Sequence, residues 1–104
     1  MYAIVETPVF LRSAKDVWNE DELTEFKIWL ANNPTVGDVI PGADGLRKVR
    51  WSRSGMGKRG GARVVYFNLL DDGVIALLIV YTKAKFDNLP TTFLLKLKRE
   101  FEND

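Results

Sequence analysis

Residues 74–82, VIALLIVYT, are apolar at odd and even positions alike. A half-buried strand alternates, so an unbroken run of this length, rich in β-branched residues, reads as a strand covered on both faces. Residues 62–70, ARVVYFNLL, share the β-branched and aromatic bias of strands. Between the two runs, Asp71-Asp72-Gly73 is a hairpin turn signal. The run should therefore be an interior strand of a small sheet. As a helix, the run is far too short to cross a bilayer.

The other elements follow from local signals. Residues 2–6, YAIVE, make a short strand candidate. Thr7-Pro8 supplies a cap and a proline at the first helical position, and Phe10, Ala14, Val17 and Trp18 recur at helical spacing, predicting a first helix to about residue 17. Asn19 with Glu22 three residues on forms a capping box, and acids crowd the positive end of a second helix. Leu23, Phe26, Trp29 and Leu30 are its apolar stripe, and Asn32-Asn33-Pro34 stops it. A Gly/Pro/Asp-rich connection spans residues 37–45. In residues 46–51, LRKVRW, Val49 and Trp51 share one face and Lys48 and Arg50 the other. Pro90 opens a last helix with Phe93, Leu94, Leu97 and Phe101 on one side. The expectation is a single α+β domain over residues 1–104: a small, mainly antiparallel four-stranded sheet, two N-terminal helices packed on one face, and a C-terminal helix, in the order β-α-α-β-β-β-α.

Net charge is +1, but it is unevenly distributed. Residues 1–43 carry three cations against seven anions, residues 44–63 seven against one, and residues 64–104 five against six. Charge segregated in this way is a local electrostatic device whose commonest target is a polyanion, although a solvated basic surface has the same composition. The chain has neither histidine nor cysteine. Zinc sites built on those residues, a Ser-His-Asp triad, a histidine acid/base pair and disulfides are excluded, a carboxylate-only magnesium site stays open in principle, and no cofactor is expected. No basic-then-apolar leader opens the residues, so a cytoplasmic location without membrane contact is the expectation.

Residues 55–60, GMGKRG, match G-x-G-x-x-G, yet the next predicted element is a strand and not the helix that a dinucleotide site requires. Lys58 is followed by Arg59 and not by Ser or Thr, which excludes a nucleotide-hydrolase phosphate loop. A kinase-type glycine loop belongs to a much larger domain. What remains is a glycine-bearing loop presenting Lys58 and Arg59, flanked by Lys48, Arg50 and Arg63 on strands. Glycine lets backbone amides approach a phosphate, and arginine grips it in bidentate fashion. Trp51 could stack on a base, but its alternation with Val49 favours the core. The position of Arg63 at the start of a strand predicts an exposed guanidinium.

The segment order, with GDVIPGADGLRKVR (37–50), GKRGGARVVY (57–66) and LLIVYTK (77–83), resembles the HigB branch of the RelE-type toxins over nearly the whole chain. The resemblance implies a compact α+β domain that enters the ribosomal A site and cleaves the bound mRNA. It implies a cognate, HigA-like, DNA-binding antitoxin as partner, with DNA reached only through that antitoxin. It assigns catalytic roles to Lys48 and Arg50, to Arg63, and to Lys83, with Lys58 and Arg59 added from the GKRGG variant. Arg47, Arg53 and Lys85 would bind RNA. Where many relatives place an arginine after the last lysine, this chain has Ala84, and a tyrosine or histidine used further on by some relatives is missing from KFDNLPTT.

The implied reaction needs no metal. With the substrate's 2′-OH as nucleophile, orientation, proton removal and neutralisation of phosphate charge suffice. A lysine crowded by Arg50, Arg59 and Arg63 becomes a candidate base, which singles out Lys48 and Lys58. Two other readings stay open: a toxin of the same fold that poisons gyrase, and a non-catalytic RNA-binding domain. The cationic set argues against the first. The absence of the aromatic strand motifs of RNA-reading modules argues against the second.

Overall fold

The computed structural model describes residues 2–51, 61–83 and 88–103. The element order is β1 (Ala3–Glu6), α1 (Pro8–Lys15), α2 (Glu20–Asn32), β2 (Asp38–Val39), β3 (Arg47–Trp51), β4 (Ala62–Leu69), a 3-10 turn (Leu70–Asp72), β5 (Val74–Thr82) and α3 (Thr91–Glu102). The strands form one sheet in the order β1-β5-β4-β3-β2. Both N-terminal helices start as their caps dictate. The Thr7 hydroxyl accepts from the Phe10 N–H at 3.3 Å and donates to the Leu77 carbonyl at 2.8 Å, tying α1 to β5. Asn19 and Glu22 exchange both capping-box bonds at 2.9 Å.

Three expectations are corrected. The sheet has five strands and not four, because the 37–45 connection contains the two-residue β2, antiparallel to β3. It is mixed, because β1 runs parallel to β5. The first helix ends at Lys15, with Asp16 as its C-cap, and the last begins at Thr91 with Pro90 outside it. The expected turn is present, with Gly73 at φ +66°, a conformation glycine adopts at little cost.

The sheet is covered on both faces, as VIALLIVYT requires. Phe10, Ala14, Trp18, Phe26 and Leu30 from α1, α2 and the turn between them pack on Val49, Val64, Tyr66, Ile75, Leu77 and Val80. Leu94 and Leu97 from α3 pack on the opposite face against Val65, Phe67, Ala76, Leu78 and Tyr81. Trp51 belongs to the first side, with its ring centroid 4.6 Å from that of Trp29 and 5.8 Å from that of Phe26, so its alternation with Val49 was the better guide. Among the described residues, no helix is long and apolar enough to cross a membrane.

The face under α3 has two parts. α3 covers the end with Phe67 and Ala76, where Phe101 stands edge-on to Phe67 at 5.4 Å. Lys98 ties it to the β2–β3 connection through the Asp44 carboxylate at 2.7 Å. The other end, where β3 finishes and β4 begins, carries Lys48, Arg50 and Arg63. A β-bulge shapes this end. The pairing steps from Val65↔Ile79 to Tyr66↔Leu77, leaving Leu78 as the extra residue on β5. Strict alternation from Leu77 would send Tyr81 toward α1 and α2. The bulge turns it to the α3 face, beside Arg63.

Candidate anion-binding and catalytic site

Arg50 and Arg63 are direct partners in the β3–β4 ladder, and Arg63 is in turn paired with Tyr81 on β5. Directly opposed residues share a face, so Arg50, Arg63 and Tyr81 make one row across three strands. Lys48, two residues before Arg50 and opposite Val65, lies on the same face. Together with Lys83, just past the end of β5, these cations line a cleft of about 400 Å³ that Val36, Asp38, Val49 and Asn88 complete.

Arg63 is only 9% exposed, which corrects the expectation of an exposed guanidinium. The reason is its strand: β4 is interior, so its first residues already have neighbours on both sides. Arg63 still lines the cleft, and among the described residues it has no acidic partner. A largely buried charge without a counter-ion costs several kcal/mol, and like charges opposed across a ladder repel. Both costs are relieved when an anion enters. Beside it, burial pushes the Tyr81 phenol above its usual value of 10.0 and the Arg63 charge opposes that shift, so the ring is a neutral wall at physiological pH.

Arg47 does not join this cluster. It lies on the other face, opposite Tyr66, and donates from Nη1 to the carbonyls of Gly37 at 2.7 Å and Thr35 at 3.4 Å. Its observed work is to fasten the segment entering β2. Lys58, Arg59, Arg53 and Lys85 lie outside the described residues.

Two cleft residues escaped the sequence reading. Asn88 brings an amide that can donate to phosphate oxygens. Asp38 was counted within the acidic N-terminal segment, yet it faces Lys48 in the β2–β3 ladder. The recoverable signal was the turn-rich stretch GDVIPGADG immediately before the cationic strand, which is short enough to fold back upon it.

A larger cleft of about 1040 Å³ lies elsewhere, between α3 and the β1–α1 junction, lined by Val5, Val9, Arg12, Leu97, Arg99 and Phe101 among others. None of the described residues among those predicted for the site lines it. Size alone does not identify a site; the converging charges single out the smaller cleft. Among the described residues there is no cluster of three or more Asp, Glu, His or Cys that could hold a metal ion.

No protein-family model matches the sequence. Among solved structures, the chain is similar to the isolated E. coli RelE toxin, with a TM-score of 0.60 and 14% identity over 95% of this chain and 98% of that one. It is also similar to an E. coli RelE variant with two arginines changed to alanine, in the free state (TM-score 0.55, 15% identity, 83% and 87% covered). A third neighbour is the E. coli RelBE toxin–antitoxin complex (TM-score 0.58, 15% identity, 77% and 94% covered). The chain has the RelE-type fold.

Proposed function

We propose that this chain is the toxin of a type II toxin–antitoxin pair, an endoribonuclease that cuts translated mRNA in the ribosomal A site. One observation carries the reading: four cations, Lys48 and Arg50 on β3, Arg63 on β4 and Lys83 just past β5, converge on one cleft. The RelE-type fold supports it. The neighbour named as a RelBE toxin–antitoxin complex supports assigning a cognate antitoxin; the resemblance to the HigB branch is what makes that antitoxin HigA-like and DNA-binding in this proposal, with DNA met only through it. The ribosome and its mRNA are the other partners, which places the chain in the cytoplasm.

The chemistry is attack of the substrate's own 2′-OH on the adjacent phosphorus. Arg50 and Arg63, opposed across the ladder, offer paired N–H donors to the phosphate oxygens and neutralise the charge that builds there. Strands hold these groups more rigidly than a loop could, and preorganised charge needs no rearrangement at the moment of reaction. Lys48 and Lys83 complete the positive rim; Lys58 and Arg59 are assigned catalytic roles, and Arg53 and Lys85 RNA binding, on the resemblance alone. The role assigns no metal to the cut. The test is cleavage of a defined mRNA on programmed ribosomes by the purified chain. A cut at the A-site codon that needs the ribosome, and fails with a 2′-deoxy residue at that position, is expected. A ribosome-independent cut, or none, contradicts the proposal.

A further inference from the structure

Asp38 stands directly across from Lys48 in the β2–β3 ladder, on the face that carries Arg50 and Arg63. It is the single carboxylate among the described residues lining the cation cleft. Its backbone is anchored. Gly37, immediately before it, donates its N–H to the Tyr66 Oη at 2.9 Å, and the Gly37 carbonyl accepts from Arg47 at 2.7 Å. Tyr66 Oη in turn donates to the Pro34 carbonyl at 2.9 Å. Among the described residues, no cation lies within ion-pairing distance of the Asp38 carboxylate. A rigidly mounted carboxylate has thus been placed among cations without being consumed by any of them.

The order of groups across the sheet gives that carboxylate a task. From edge to interior the cleft presents Asp38 on β2, Lys48 and Arg50 on β3, Arg63 on β4 and Lys83 after β5. Strands lie about 4.8 Å apart, so Asp38 and Lys83 bracket the two arginines from opposite sides. An in-line displacement at phosphorus needs this sequence: a proton acceptor beside the nucleophile, a clamp on the phosphate, and a proton donor beside the leaving oxygen.

Building on the endoribonuclease reading above, we infer that Asp38 is the general base that takes the proton of the substrate's 2′-OH. The O2′–H bond breaks as the proton passes to the carboxylate, and the O2′ lone pair forms the new bond to phosphorus. The P–O5′ bond breaks with its electron pair leaving on O5′, which takes a proton from the Lys83 ammonium. The products are a 2′,3′-cyclic phosphate and a 5′-hydroxyl end. Asp38 then gives its proton to solvent and Lys83 regains one. Lys48, facing the carboxylate, serves as a clamp and not as the base.

The experiment is single-turnover cleavage on programmed ribosomes with saturating chain, comparing the wild type with Asp38→Asn and Asp38→Glu, and measuring ribosome binding and melting temperature for each. Asp38 is exposed and asparagine is its near-isostere, so the variant should fold. General-base catalysis contributes about 10²- to 10⁴-fold, so Asp38→Asn should lose at least about 100-fold in rate while binding stays within about threefold. Asp38→Glu should recover part of the loss. The pH profile separates a base from a merely structural carboxylate. Among the described residues, the groups facing Asp38 are Lys48, Arg50, Arg63 and Lys83 in the cleft, with Arg47 and Tyr66 behind it, and no second carboxylate is among them. With a carboxylate base the wild-type rate should be flat from about pH 6 to 8.5, whereas Asp38→Asn should rise about tenfold per pH unit as hydroxide takes over. An Asp38→Asn variant that cuts within a few-fold of wild type, keeps a flat profile, or loses binding in step with rate overturns the assignment and leaves the endoribonuclease reading standing. A wild-type chain that cuts no RNA overturns both.

Discussion

Arg50 and Arg63 face each other directly across the β3–β4 ladder, two guanidinium-bearing side chains where a sheet ordinarily pairs a charge with its opposite or with an apolar partner. Arg63 is largely buried there, with no acidic partner among the described residues. Sequences break a local rule of this kind chiefly at functional sites. Arg63→Ala should therefore lose about 100-fold or more in cleavage, the scale seen when one preorganised donor is removed. Its stability should change by no more than about 1 kcal/mol, since relief of the opposed charge offsets the lost packing. Inorganic phosphate should raise the melting temperature of the wild type and do so less for Arg63→Ala, because a ligand that binds the folded state stabilises it. Lys48→Ala and Arg50→Ala should lose activity less completely. Thermal melts with and without phosphate, beside cleavage rates, check all of this.

Gly37 sets the position of the cleft's edge. A Cβ there would lie 2.8 Å from the Tyr66 Oη and 3.0 Å from the Lys48 carbonyl, and neither is free to move. Gly37→Ala should cost about 1–3 kcal/mol by overpacking. Tyr66→Phe should cost about as much, because it leaves the buried Gly37 N–H without its acceptor. Differential scanning calorimetry would read each as a melting temperature lowered by roughly 4–8 °C per kcal/mol.

The two buried phenols predict an alkaline limit to stability. Burial is the main cause raising both Tyr66 and Tyr81; at Tyr66 the Gly37 hydrogen bond and Arg47 oppose it while Asp38 adds to it, and at Tyr81 Arg63 opposes it. A raised folded-state value means that the folded chain holds its protons longer than the unfolded chain. Stability from this source is therefore intact below pH 10.0 and falls as pH rises from there through the folded-state values. Urea unfolding across this range should show the decline, and Tyr81→Phe should make it shallower.

The helices and the two long strands were legible because their signals are local: a capping box at Asn19, a proline at Pro8, a doubly apolar run at 74–82. The alternation of Lys48 and Arg50 against Val49 and Trp51 was legible for the same reason. What could not be read depends on pairing. β2 has two residues and no periodicity of its own, so only its ladder with β3 makes it a strand. The bulge at Leu78 moves Tyr81 to the cationic face, and nothing in VIALLIVYT marks where alternation breaks. The burial of Arg63 follows from the interior place of β4, a property of strand order and not of the residue's neighbours in the chain. Counting charge by segment assigned Asp38 to the acidic half, whereas the ladder delivers it to the basic cleft.

Cleavage should not require a metal ion beyond what ribosomes themselves need. The cleft offers a phosphate the charges of Lys48, Arg50, Arg63 and Lys83, and among the described residues it presents one carboxylate, too few to hold a divalent ion tightly. Chelation that leaves ribosomal magnesium intact should leave the rate unchanged. Activity restored specifically by zinc or manganese would contradict the mechanism.

On the function proposed, a cognate antitoxin should leave the cleft cations uncovered. The exposed acids Glu20 and Asp21 of α2 and the apolar side chains exposed at Leu11 and Ile28 offer docking surface on the helices that cover the other face of the sheet from Lys48, Arg50 and Arg63. A complex held by direct cover of the cations would weaken steeply with salt, since exposed pairs are screened within about 8 Å at physiological ionic strength. Docking through apolar surface should hold its affinity over the same range. Binding measured from low to high salt, and with Lys48, Arg50 and Arg63 all changed to alanine, should show retained affinity in both. A folded triple variant that no longer binds would place the antitoxin over the cleft.

The most direct test of the central claim is a map of mRNA 5′ ends after brief induced expression of the wild type and of Arg63→Ala. The wild type should give new ends within translated reading frames, in a fixed register with codons, and these should disappear in a folded, equally expressed Arg63→Ala chain. Ends scattered without regard to reading frame, or an undiminished set from Arg63→Ala, would contradict the claim.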